Sequence, residues 1–167
     1  NELERQLQEE LKIQAGASSA IARTEKEFDD KSFLPMINSK ISDKRSEIAQ
    51  YQRQLTALEL LEDSVESDAV IIKKSDLKYQ IRRLENDITK EASELVLVNQ
   101  TPEGLETQDI LLKWLNSVIA KEESTAKLVV MNKRIVEYDS IYDEFAPLGS
   151  TLKRLEREIN VAERAYL

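Results

Sequence analysis

The 167 residues carry 32 acids against 24 bases, a net charge of −8, and neither Cys nor His. That balance argues against a nucleic-acid partner, which needs a basic face to displace counterions; the missing Cys and His remove disulfides, zinc sites built on those residues and triads with a His base. With only 3 Gly and 3 Pro, 34% charged residues and 5% aromatics, the chain is poor material for a thick globular core and suits helices that each bury a narrow stripe.

Segment one, about residues 1–31, places Leu3, Leu7, Ala17, Ile21 and Phe28 at three- and four-residue steps, diluted by Glu10, Gln14 and Thr24. The small residues from Ala15 to Ala20 either admit a close neighbour or form a weak stretch. Asp29, Asp30 and Pro35 mark a break, because Pro disfavours helix at the residue before it and suits a first turn. Segment two, about 36–64, keeps register through Ile41, Ile48, Tyr51, Leu55 and Leu58, with Val65 just beyond it. Lys44 and Glu62 are polar exceptions. The stretch Asp63 to Asp68 lacks a stripe and offers capping side chains, so it reads as a turn.

Segment three, about 70–98, has the cleanest predicted seam, in Leu77, Ile81, Leu84, Ile88 and Leu95, interrupted by Glu91. Lys44, Glu62 and Glu91 either set the register or lie where a partner helix has ended. Similar lengths and a short connector predict that segments two and three form an antiparallel hairpin. Thr101, Pro102 and Glu103 supply an N-cap, a first-turn proline and a favourable acid for segment four, which runs from 102 to about 145 with Leu111, Trp114 and Val118 near its start. Pro147 and Gly149 predict an interruption, after which segment five, about 150–167, repeats the stripe at Leu152, Leu155, Ile159, Ala162 and Tyr166.

The expectation is an all-α fold: long antiparallel helices of an extended coiled-coil bundle, in one region spanning residues 1–167. No apolar run approaches the ~18 residues that a membrane span needs. The opening on Asn1 in mid-pattern suggests a piece of a longer protein. Glu9–Glu10 and Glu122–Glu123 are adjacent acids, but neighbours in a helix point to different faces, so they read as solvated surface. Trp114 reads as core. No phosphate-binding Gly loop or EF-hand is present, no catalytic, cofactor-binding or metal residue is expected, and the chain is not expected to be an enzyme.

At Leu155, Arg157, Glu158, Ala162 and Tyr166, with Gly149 upstream, the chain resembles the Leu-x-Arg-Glu-x-x-x-Ala-x-x-x-Tyr stretch of bacterial polysaccharide co-polymerases, the chain-length-determinant and exopolysaccharide-export family. The resemblance covers roughly a tenth of the chain. It implies a non-catalytic periplasmic segment of an inner-membrane protein that self-associates and works with the polysaccharide polymerase or export machinery. The family's membrane helices, proline-rich run and α/β base have no counterpart in these residues. Two other readings stand beside it: the helical hairpin of a periplasmic adaptor in efflux or secretion, and a generic structural coiled-coil rod.

Overall fold

A computed structural model describes residues 2–28, 31–61, 67–97 and 104–165. Among these the fold is all-α, with helices α1 (Glu2–Glu27), α2 (Leu34–Glu59), α3 (Asp68–Leu97) and α4 (Gly104–Ala165) and no strand. The chain divides into two units, Asn1–Met131 and Asn132–Leu167.

In the first unit, α1 ends at Glu27, four residues before the expected end near 31, and aromatic packing follows it. Phe28 is buried and meets Phe33 edge to face, ring centroids 5.3 Å apart. Helix α2 then starts at Leu34, ahead of the expected residue 36, with proline in its first turn, where a missing N–H costs no helical bond. It closes at Glu59, short of residue 64, where Leu60 donates its N–H to Thr56 O at 3.0 Å. The cap of α3 is local: Ser67 accepts from the Val70 N–H at 3.3 Å. The expected turn residues 63–66 and Glu62, like the Thr101–Pro102–Glu103 cap, lie outside the described residues.

The core of this unit follows helical periodicity. Ile37, Ile41, Ile48 and Leu55 from α2 meet Leu77, Ile81, Leu84, Ile88 and Ala92 from α3, and Leu111, Trp114, Leu115, Val118 and Ile119 from α4. Leu95 packs against this cluster half-buried. Each such aliphatic side chain removed from water contributes about 1.5–3 kcal/mol, offset by the entropy of ordering the chain. Between α1 and α4, partners step in opposite sequence directions. From α1 to α4 they are Glu10 with Ser124 and Glu25 with Trp114; α2 and α3, which pack along each other, are joined by Lys44 with Glu91.

The run of small residues in α1 resolves unevenly. Ala17 is buried, whereas Gly16 is exposed and a Cβ there would meet nothing within 4 Å.

The interruption expected at Pro147 and Gly149 is absent: α4 continues through both as one helix, merging expected segments four and five. Proline removes a single bond, the one its N–H would make to the Asp143 carbonyl, and crowds that turn. Residues 141–165 are exposed throughout, so water can satisfy the freed carbonyl and the turn need not break. Thr151 donates its hydroxyl to Pro147 O at 3.0 Å, and no described residue has positive φ.

Candidate functional sites

Two features stand out, one in each unit. In the first, α3 and α4 line an open cleft of about 280 Å³ with Glu85, Asn86, Thr89, Asn116, Ile119, Ala120 and Glu123. Glu123 follows Ile119 by one helical turn and precedes buried Ala126 by three residues, so the winding of α4 carries it into the packed face. Burial pushes its carboxyl up to about 8, and a hydrogen bond to Glu85 together with that group's charge adds to the effect; Lys127 pulls the other way. The raised value favours the protonated form of Glu123 at pH 7, the form in which its carboxyl can donate toward Glu85 across the cleft. Its Oε1 is buried without a hydrogen-bond partner among the described residues.

The reading of both acid pairs as solvated surface requires correction. Glu9 is exposed and pairs with Arg5, but Glu10 is only 7% exposed and its carbonyl accepts from the Ser124 hydroxyl at 3.2 Å. Glu122 accepts from Arg45 of α2 at 2.9 Å, and Glu123 is half-buried. A sequence signal for this exists. Glu10, Ala17 and Thr24, the buried residues of α1, recur every seven positions, so Glu10 shares their face whatever its polarity. Thr24 satisfies its hydroxyl on the Ala20 and Ile21 carbonyls. Lys44 and Glu91, the polar exceptions in neighbouring seams, meet at 2.7 Å, and the contact raises the Lys44 pKa. Arg45 also reaches Asn38 at 3.2 Å. Trp114, buried as expected of core, donates its indole N–H to Glu25 at 3.2 Å.

The second feature lies in residues 132–165 of α4. Counting from Tyr138, the first and fourth positions of each seven are Tyr138, Ile141, Phe145, Leu148, Leu152, Leu155, Ile159 and Ala162, every one apolar or aromatic. This is an unbroken a/d seam across more than three heptads. Ile141 through Ala162 are exposed, with Phe145 at 60%, Leu152 at 62% and Ile159 at 58%. Tyr138 alone is half-covered, beneath the Arg134 guanidinium 5.9 Å from its ring centroid. Of the residues that carry the family resemblance, Leu155 and Ala162 lie in this seam and Glu158 beside it; Arg157 is on the opposite face, and Tyr166 lies outside the described residues. Leu77, Ile81, Leu84 and Ile88, by contrast, are buried in the first unit.

Among the described residues, no group of three or more acids is placed to hold a metal ion, and no helix is long and apolar enough to cross a membrane. Comparison of the chain with protein-family models, curated proteins and solved structures finds no match in any of the three.

Proposed function

We propose that the chain is a non-catalytic, extracytoplasmic helical segment of a bacterial polysaccharide co-polymerase, a coiled-coil bundle of long antiparallel helices that helps set the length or export of a surface polysaccharide. The observation that carries this reading is the exposed heptad seam of α4, because Leu155 and Ala162 belong both to it and to the stretch that resembles the family, with Glu158 on its flank. A helix that keeps a strict seven-residue apolar repeat while leaving it exposed is suited to assembly and spacing. The parent protein would be anchored in the inner membrane, where tethering raises the effective concentration of the segment for the helices it meets there.

In this reading length is the working variable, which gives a direct test. Removing residues 145–151 from the parent protein deletes one heptad, keeps the phase of the seam and shortens the helix by about 10 Å. The expected result is a shifted length distribution of the surface polysaccharide at unchanged membrane insertion. A stably inserted protein with an unaltered polysaccharide profile contradicts the proposal.

A further inference from the structure

We infer that the exposed seam of α4 between Tyr138 and Ala162 docks a helix from a different protein, one with apolar residues at three- and four-residue steps and Lys or Arg along their flanks. The inference stands on charge and does not depend on the polysaccharide reading.

In a two-stranded coil the e and g positions border the apolar seam and meet the partner's flanks, choosing which helices pair. From 137 to 163 there are eight such positions. Five of them are acids, Glu137, Glu144, Glu156, Glu158 and Glu163; the other three are Tyr142, Gly149 and Thr151. None is basic. The bases from 137 to 165, Lys153, Arg154, Arg157 and Arg164, all fall at b, c and f, on the side away from the seam. Arg154 accordingly pairs along its own helix, with Glu158 at 3.9 Å.

A second copy therefore brings no attractive flank contact in either orientation. Parallel pairing sets Glu158 against the other copy's Glu163, and antiparallel pairing centred on the seam sets Glu144 against Glu158. Like charges across such a seam disfavour the pair, so the pattern selects against self-association. A helix with Lys or Arg at its flanks reverses every one of these contacts. Apolar matching then supplies adhesion and the acid borders supply selectivity. Gly149 at an e position and Thr151 at a g position leave a neutral window mid-seam, where the flanks of the partner are free of a charge requirement.

The test uses the full 167-residue chain and three synthetic 28-residue peptides. The first has Ile at a, Leu at d and Lys at every e and g; the second has Glu in place of each Lys; the third is a scramble of the first. Calorimetry at 50 mM salt is expected to show the Lys-flanked peptide binding at least 10-fold tighter than the Glu-flanked one, with a smaller gap at 0.5 M salt as the charges are screened. The chain carrying E144K, E156K and E158K should reverse the preference. Leu152→Asp with Ile159→Asp should abolish binding while leaving the melting temperature of the buried core unchanged. Equal binding of the two amphipathic peptides, no binding of either, or equal binding of the scramble overturns the inference. So does a micromolar dimer of the chain alone that dissociates in the Leu152→Asp, Ile159→Asp variant.

Discussion

Burial reverses the ordinary behaviour of one carboxyl in this molecule. Glu123, held at about 8 against an ordinary value of 4.5, binds a proton in the folded state that the unfolded chain has released. Between those values the native state holds more protons than the unfolded state, so the contribution of this group to stability is fully present below pH 4.5 and is lost as pH rises through 8. Partial exposure screens the effect, leaving about 1–2 kcal/mol. Glu123→Gln should flatten that fall, raising stability at pH 8.5 relative to the unsubstituted chain and changing little at pH 5; urea titrations at both values measure it. Glu85→Ala removes the charge facing Glu123 and should likewise be harmless or stabilising at pH 8.5. Its neighbour Leu84 is 3% exposed, and Leu84→Asp strands a charge in the apolar core at a cost of about 3 kcal/mol or more. Equal melting temperatures for Leu84→Asp and Glu85→Ala would refute this assignment of faces. The seam from Leu77 to Ile88 was legible because aliphatic side chains at helical spacing have few other uses. The acid pair was not, since its pKa depends on Glu85 and Glu123 meeting across two helices, a distance no local pattern encodes.

At the scale of the helix, Pro147 illustrates how exposure decides what a breaker does. Proline costs a helix interior about 3 kcal/mol relative to alanine, and glycine about 1 kcal/mol. Both residues sit in the exposed stretch of α4, where water can donate to the carbonyl that Pro147 leaves free. The sequence marks two helix breakers, and the break expected from them does not occur; whether a breaker ends a helix depends on what surrounds it. Gly149→Ala meets no steric obstacle, since a Cβ there has nothing within 4 Å. Pro147→Ala and Gly149→Ala should each slow amide hydrogen exchange over residues 143–153, the proline variant more strongly. Unchanged exchange in that stretch would mean that the turn does not limit the stability of the helix. Between α2 and α3 the pair Lys44–Glu91 matches two polar exceptions across adjoining seams. Because both side chains are about one-third exposed, a double-mutant cycle on them should return a coupling of about 0.5–1 kcal/mol.

Across the whole molecule, apolar residues are spent in two ways. In residues 1–131 they fill a core of three-helix contacts, and in 132–165 they line an exposed helix face. Periodicity alone does not distinguish the two, because the steps of three and four residues are the same in α3 and in the latter part of α4. What differs is the flank: Glu137, Glu144, Glu156, Glu158 and Glu163 border the exposed seam without a single base. A helix of this kind, alone in water, is marginally stable, since most helical stability comes from packing an apolar face. Residues 1–131 made as a separate chain should therefore melt within a few degrees of the full chain; a large loss would show that the core depends on 132–167. The central claim is that the seam from Tyr138 to Ala162 is open in the free chain and is closed by a basic-flanked helix. Hydrogen exchange followed by mass spectrometry addresses it most directly. Amides of 138–162 should exchange far faster than those of 77–92 in the free chain, and should become protected when the Lys-flanked peptide is added. Strong protection of 138–162 in the free chain, or none gained with the peptide, would contradict the account.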